Sequence, residues 1–376
     1  MLSVEKAGNA GRVDLDDPGS YEQLDPGGML GFAIGFPEQV RKAARIGREF
    51  APPKGFANPK QIALAGMGGS AVAGDFLARL IEDRVPVPFA VIRGYQAPAS
   101  VGPETLFIAS SHSGNTEETL AAASAALRRG ARILCITTGG KLQDFARRHV
   151  GRKVALLRIP QTEPPMPPRA ALGYSLIPLV RVFERLGLYP GAGGKIGEAI
   201  GLLEHLLDRV RPEVPTQHNR AKQLALFLRD RIPWIHGTVG IMSAVAYRWR
   251  TQCNENSKML AYSHEYPELN HNEVIGWEQA EMLGGKLAVV VLRSPSDHWR
   301  VRARVDITKK RLIEPKAPLQ EVEAEGRSPL AQLLWTVYLG DFVSLYLAFL
   351  NGVDPAAIDS INALKAELER LQRPRK

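Results

Sequence analysis

Hydroxyls crowded against the start of a helix are the first feature of this chain that could do chemistry. They lie in the run from Leu106 to Thr119, Leu-Phe-Ile-Ala-Ser-Ser-His-Ser-Gly-Asn-Thr-Glu-Glu-Thr. The apolar residues Leu106 to Ala109 read as a short buried strand, and an Ala-rich helix begins near Glu117. Asn115 is placed to cap that helix, with Glu118 three residues on as a capping-box partner. The loop then brings Ser111, Ser113 and Thr116 to a helix N-terminus, where unpaired N–H groups and about half a positive charge await an anion. Phosphate is the natural guest of such a site.

Other candidate groups are spaced along the chain. Gly66-Met67-Gly68-Gly69-Ser70-Ala71 is a Gly-rich turn between a strand and a helix. It also fits a Gly-x-Gly-x-x-Ala dinucleotide fingerprint, which needs a carboxylate at the end of the next strand. That strand ends Val91-Ile92-Arg93-Gly94, so a nicotinamide role is disfavoured and close approach of backbone to a ligand is the plainer use. Pro164 to Pro168 stiffen a loop that ends in Arg169, a good way to aim a guanidinium, although a linker with a surface arginine has the same composition. Arg250 to Lys258 and His264 to His271 form two dense polar segments. The first lies near a helix end, and the second, Tyr262 to Asn272, reads as irregular. From spacing alone Glu255 is as readily an ion-pair partner of Lys258 or Arg250, His271 a loop histidine bonded to backbone, and Lys365 a surface lysine.

The elements that must position these groups follow from patterning. A first amphipathic helix is expected over Glu38–Arg48 and strands over Ile62–Ala65, Val87–Ile92, Leu106–Ala109, Ile133–Thr137 and Val154–Ile159, alternating with helices. That alternation implies a doubly wound parallel α/β sheet whose ligands sit at the strand carboxyl ends. A helix over Leu172–Leu186 follows, and Gly191 to Gly194 marks a domain boundary. The second half repeats the scheme, with a helix around Gln217–Asp230, then Ile232-Pro-Trp-Ile-His-Gly237 as strand and turn, and a strand at Leu287–Leu292. Arg300–Glu325 reads as two further strands with a charged connection, and Ser328–Leu350 as one long helix. The division is an arm at 1–35, one α/β domain at 36–190 and a second at 191–376.

Composition narrows the function classes. The chain has 376 residues, 45% hydrophobic and 23% charged, as in globular two-domain proteins. No apolar run is read as a membrane span, and Met1 to Gly8 contain no apolar signal core, so the cytoplasm is the default compartment and no membrane partner is expected. Two cysteines, Cys135 and Cys253, make neither a disulfide framework nor a zinc quartet. The net charge of +9 is spread along the chain, densest at Arg300–Arg311 and in the tail Arg370–Lys376. Without a nucleic-acid-binding signature it suits an anionic metabolite better than nucleic acid.

Taken together, these segments resemble a known family. Ser111-His-Ser-Gly-Asn-Thr116 and Gly66-Met-Gly-Gly-Ser70 resemble the flavodoxin-like sugar isomerase (SIS) fold. Asn254-Glu255-Asn256-Ser-Lys258, Leu269-Asn270-His271-Asn-Glu273 and Pro168-Arg169 narrow the resemblance to the bifunctional phosphoglucose/phosphomannose isomerases of archaea and bacteria. The segments Leu15-Asp-Asp-Pro18, Phe36-Pro-Glu-Gln39 and Gly352-Val-Asp-Pro355 extend it over nearly the whole chain. The resemblance implies two SIS domains and an aldose–ketose isomerase acting between glucose 6-phosphate and fructose 6-phosphate, with mannose 6-phosphate a further candidate. It implies phosphate binding by Ser111, Ser113 and Thr116, and Gly68, Gly69 and Ser70 lining the sugar. Arg169 would hold the charge of the intermediate, Glu255 would be the base, His271 would open the pyranose ring and Lys365 would touch the substrate. It implies no metal or other cofactor, and a homodimer whose histidine reaches the neighbouring site.

These residue types suit the reaction. Moving a carbonyl between C1 and C2 asks one carboxylate to carry a proton between adjacent carbons through a cis-enediol. The enediolate asks for a permanent cation, and ring opening for a group that moves protons near neutrality. Two positions depart from the family pattern. The run Asp354-Pro355-Ala356-Ala357 has no Thr or further Pro after Asp-Pro, so a hydroxyl that would admit the mannose epimer is missing, and His112 is unusual in the phosphate loop. A non-catalytic SIS sensor is the rival from another class, but residues 1–35 are too short and Gly-rich for a regulatory domain. Another SIS sugar-phosphate isomerase, such as an amino-sugar enzyme, would lack the Glu255 and His271 pair.

Overall fold

The computed structural model describes residues 13–149, 151 and 153–371. Residues 1–12 of the arm and 372–376 of the basic tail lie outside this description. After two short 3-10 helices, Pro18–Ser20 and Glu22–Leu24, the described chain forms α1 (Met29–Ile34) and α2 (Phe36–Glu49). The first half continues with β1 (Gln61–Ala65), α3 (Gly68–Ile81), β2 (Phe89–Ile92), β3 (Thr105–Ser110), α4 (Glu117–Arg128), β4 (Arg132–Thr137), α5 (Gly140–His149), β5 (Val154–Arg158) and α6 (Leu172–Arg185). Helices α7 (Ala192–Val210) and α8 (Arg220–Leu228) lead to β6 (Ile232–Thr238), α9 (Ile241–Glu255), β7 (Tyr262–Tyr266) and the single turn α10 (Glu273–Gly276). The chain then forms β8 (Leu287–Arg293), α11 (Trp299–Thr308), β9 (Leu319–Glu323), α12 (Pro329–Leu350) and α13 (Asp359–Arg370).

Both sheets are parallel throughout, and they share one winding. The first has strand order β2-β1-β3-β4-β5 and the second β7-β6-β8-β9, the same second-first-third-fourth order. Strands β1, β3, β4 and β8 are apolar on both faces because helices cover both faces. Ile62, Leu64, Leu106, Ile108 and Leu134 point into a central core that Ile235, Val290 and Leu292 of the second sheet also enter. Ala63, Phe107, Ile133 and Cys135 face the opposite way, towards α4 and α5. Val289 and Val291 likewise face away from the centre, with Val301, Val305 and Trp277. Helix α12 runs through the central core, capped by the Ser328 hydroxyl, which accepts from Ala331 N at 3.3 Å. It is long and apolar enough to cross a membrane, contrary to the reading that no run is, and it is buried inside the protein.

Three further sequence readings are corrected. Arg300–Glu325 does not form two strands: its first part is helix α11 and only Leu319–Glu323 is a strand. The alternation Arg-Val-Arg-Ala-Arg-Val admits either reading locally, and burial of Val301 and Val305 four residues apart selects the helix. Tyr262–Tyr266 is strand β7 rather than irregular, because its polar side chains lie beside β6 in parallel register. Asn115 does not cap α4. Thr116 holds the cap position, and the Asn115 carboxamide instead accepts from Lys141 N at 3.1 Å, tying the loop to its neighbour after β4.

The described part of the N-terminal arm is a strap. Tyr21 stacks on Phe349 at 4.7 Å, Leu15 is buried, and the Asp16 carboxylate accepts from Thr216 N and Oγ1, both at 2.7 Å, and from Lys222 Nζ at 3.2 Å. These contacts bind the start of the chain to its second half.

Candidate active site

In a sheet of order 2-1-3-4-5 the crossover connections reverse direction between the first and third strands, leaving a crevice at their carboxyl ends. Here that crevice lies between β1 and β3. Gly66 to Ser70 leave β1 there, and Ser111 to Thr116 leave β3. The two loops touch, since a Cβ on Gly66 would lie 3.2 Å from Ser110 O.

The hydroxyl loop is folded on itself. Ser111 Oγ and Thr116 Oγ1 are 2.8 Å apart, and Ser111 Oγ accepts from Gly114 N at 3.1 Å. Ser113 Oγ accepts from Asn115 N at 3.3 Å. Gly114 is required at its position: φ is +72°, and a Cβ would stand 1.8 Å from Gly139 O. Ser111 is buried, Thr116 half-buried and Ser113 exposed, so the hydroxyls run from the floor of the crevice to its rim. No side chain caps α4, which leaves its first amides free for an anion. His112 lies in the same loop, and burial moves its imidazole below the ordinary value, towards the neutral form.

Gly68, Gly69 and Ser70 begin α3. A Cβ on Gly69 would meet Pro168 O at 2.9 Å, so the missing side chain lets the backbone of Pro168 and Arg169 lie against this helix start. The proline-framed loop thus delivers Arg169 to the crevice. Its side chain is 4% exposed. Nε donates to Asn256 Oδ1 at 2.8 Å, and NH2 donates to the Pro355 carbonyl and to Ala356 O at 3.1 Å. NH1 faces Glu255 Oε2 at 3.6 Å. Burial lowers the guanidinium from its ordinary value and the Glu255 charge pushes it back, which leaves the group a cation at any working pH.

Glu255 is the last residue of α9. Its carboxylate is paired with neither Lys258 nor Arg250, the partners that spacing suggests; it faces an arginine from the other half of the chain. Lys258 donates to the Glu255 carbonyl at 2.6 Å, in a left-handed conformation with φ +55°. Asn256 is held from behind, its Nδ2 donating to Ser344 Oγ at 3.0 Å, and Arg248 donates to Arg169 O at 3.1 Å while paired with Asp341 at 2.9 Å. Asn256 and the carbonyls of Pro355 and Ala356 hold Arg169, contacts that composition does not single out. Their part is to orient the guanidinium, which only folding displays.

His271 and Lys365 are not brought to this cluster. No hydrogen bond or ion pair joins either to it among the described residues, and both side chains are exposed. His271 ends a short 3-10 helix after β7, and Lys365 lies on α13, whose Ile361, Leu364 and Leu368 are 40%, 59% and 47% exposed. Arg93, the residue that could have met a ribose phosphate, pairs instead with Asp75.

The equivalent crevice of the second sheet, between β6 and β8, is filled by its own chain. The Asp297 carboxylate accepts from Thr238 Oγ1 at 2.8 Å and from Ser294 N at 3.0 Å, where an anion would sit.

Residues 55–151 match the SIS domain family model, and residues 217–368 match the model of the bacterial phosphoglucose isomerase C-terminal SIS domain. A bifunctional phosphoglucose/phosphomannose isomerase of Caldicellulosiruptor bescii is 40% identical over 92% of this chain and 100% of its own length. Its counterpart in Thermoplasma acidophilum is 35% identical over 82% of this chain and 89% of its own. Among solved structures, a glucose-6-phosphate isomerase-like protein of Thermus thermophilus superposes with a TM-score of 0.62 at 22% identity, covering 92% of this chain and 98% of that one, a likeness of fold. With both SIS models matched in order, and relatives aligned across both halves, the chain belongs to the bifunctional phosphoglucose/phosphomannose isomerase family.

Proposed function

We propose that this protein interconverts glucose 6-phosphate and fructose 6-phosphate, and accepts mannose 6-phosphate, through a cis-enediol. The observation that carries this is the Arg169–Glu255 contact of 3.6 Å, with Gly69 against the Pro168–Arg169 backbone and Gly66 against Ser110. The phosphate is read to sit on the α4 amides with Ser111, Ser113 and Thr116 around it, and the sugar to lie along Gly68, Gly69 and Ser70. Glu255 takes the proton from the carbon beside the carbonyl and returns it one carbon away. Arg169 faces the oxygens of the enediolate with NH1, the nitrogen its structural acceptors leave facing Glu255. His271 acts as ring opener and Lys365 as a substrate contact.

In this reading the ring-opening histidine comes from a second chain. His271 is exposed and unbonded among the described residues, and α13 carries an apolar stripe that packs on nothing substantial in its own chain. A homodimer that buries this stripe and exchanges His271 supplies what one chain leaves open. Production of fructose 6-phosphate from each aldose phosphate, followed in a coupled assay, tests the function. Conversion of glucose 6-phosphate is expected, and failure to convert either sugar overturns the reading. The missing hydroxyl at Ala356-Ala357 makes glucose 6-phosphate the faster substrate.

A further inference from the structure

A buried carboxylate outside the crevice makes more hydrogen bonds than the site's own base. Glu273 is the first residue of α10, and its side chain is 9% exposed. Its Oε1 accepts from His236 Nε2 at 2.7 Å, Trp234 Nε1 at 2.8 Å and Trp277 Nε1 at 2.9 Å. Oε2 accepts from His264 Nδ1 at 2.9 Å. His236 is fully buried, and with its Nε2 proton given to Glu273 its Nδ1 has no partner among the described residues. His236 and His264 are register partners on β6 and β7, so the sheet sets both donors at one height. Burial alone would raise the Glu273 carboxyl, but the bonds from the histidines and Trp277 hold it at about 2.

An ion under an aromatic layer is not a device for stability alone, since apolar packing of the same volume carries no desolvation cost. What the arrangement does fix is geometry. Glu273 stands two residues after His271. On the other side of that histidine Leu269 is buried in the core, and Asn270 Nδ2 donates to Thr308 Oγ1 of α11 at 2.8 Å. Between them Asn272 Oδ1 accepts from Glu273 N at 2.6 Å, and its Nδ2 donates to Glu268 at 2.9 Å. The neighbours of His271 on both sides are tied down, and His271 itself stands exposed between them.

We propose that Glu273, clamped by Trp234, His236, His264 and Trp277, is the positioning residue that holds the His271 arm in register for ring opening. This rests on the reading of His271 as the ring-opening group. An amide at position 273 keeps the shape but loses the charge and one acceptor oxygen, so at least one of the four bonds is lost or reversed and the arm loosens while the phosphate loop and Arg169 stay in place.

Steady-state kinetics on the full chain, run as a cycle of Glu273→Gln, His271→Ala and the double variant, tests it. Glu273→Gln is expected to lower kcat for glucose 6-phosphate about tenfold or more with KM within about twofold, because positioning of a general acid–base group is lost and phosphate binding is not. In the His271→Ala background the same change is expected to cost nothing further, the mark of two residues acting as one unit. An equal fold-loss in both backgrounds, or an unchanged kcat, overturns the proposal. If Glu273→Gln does not fold, His264→Ala removes one donor at the rim and is run through the same cycle, with a smaller kcat loss expected and the same overturning outcomes. A wild-type chain without isomerase activity overturns the functional reading itself. An active wild type whose His271→Ala variant keeps wild-type kcat overturns the role of His271, and the positioning role of Glu273 with it.

Discussion

In the proposed mechanism Glu255 and Arg169 divide the chemistry between a base half-exposed at a helix end and a cation that is almost wholly buried. The difference follows from their tasks. A base must meet substrate and exchange a proton, whereas a cation that only stabilises charge gains from fixed geometry in a dry site. Glu255→Gln removes the proton carrier and keeps the shape, so kcat should fall on the order of a hundredfold or more while KM changes little. Near-wild-type turnover in that variant would remove Glu255 from the role of base. Glu273 yields a second expectation at this scale. Its folded carboxyl lies at about 2, below the ordinary 4.5. A depressed carboxyl contributes stability that is complete above its unfolded value and is lost as pH falls through the folded one. Between about pH 4.5 and about 2 the Tm of the wild type should therefore fall more steeply than that of Glu273→Gln, and parallel melting curves would contradict the clamp's charge.

At the scale of elements, the strand–turn–helix unit recurs in both sheets with different loop chemistry. After β3 the chain turns through hydroxyls and a left-handed Gly114, and α4 begins without a side-chain cap. After β8 a carboxylate from the same chain fills the equivalent place. Replacing Ser113 and Thr116 together by Ala tests the open loop. KM for the phosphorylated sugar should rise and kcat should fall, because binding energy from the remote phosphate positions the reacting carbons. Unchanged kinetics in the double variant would place the phosphate elsewhere.

For the whole molecule, a central core fixes the halves against each other. Helix α12 and the strap at Leu15 to Tyr21 make the halves one body, which is what holds Arg169 of one half 3.6 Å from Glu255 of the other. His271 and α13 are exposed outside that core. If His271 acts across a two-fold interface, Glu255→Gln and His271→Ala chains are each dead alone, yet a mixed dimer has one intact site. Co-refolding equal amounts should place about half of the chains in mixed dimers and return roughly a quarter of wild-type activity. No recovery in a sample containing mixed dimers would assign His271 to its own chain's site or to none.

The doubly wound halves and the hydroxyl loop were legible in the sequence because each is a local matter, and an aimed Arg169 was one of two readings left open. Strand periodicity, glycine at a turn and proline before Arg169 act over a few residues. The helix over 299–308 was not legible, since its alternating arginines and valines fit a strand until packing chooses which side is buried. Nor was the role of Asn115, whose cap geometry is attractive locally but whose carboxamide is claimed by Lys141 from the next loop. The partner of Glu255 was hidden for the same reason: nearby lysine and arginine satisfy any rule based on spacing, and Arg169 becomes its neighbour only when the two halves close on a common core. Sequence by itself determined the residue types and the elements that carry them. Tertiary structure decided which charges meet, because a buried cation takes the acceptors that packing brings within reach, however far along the chain they lie.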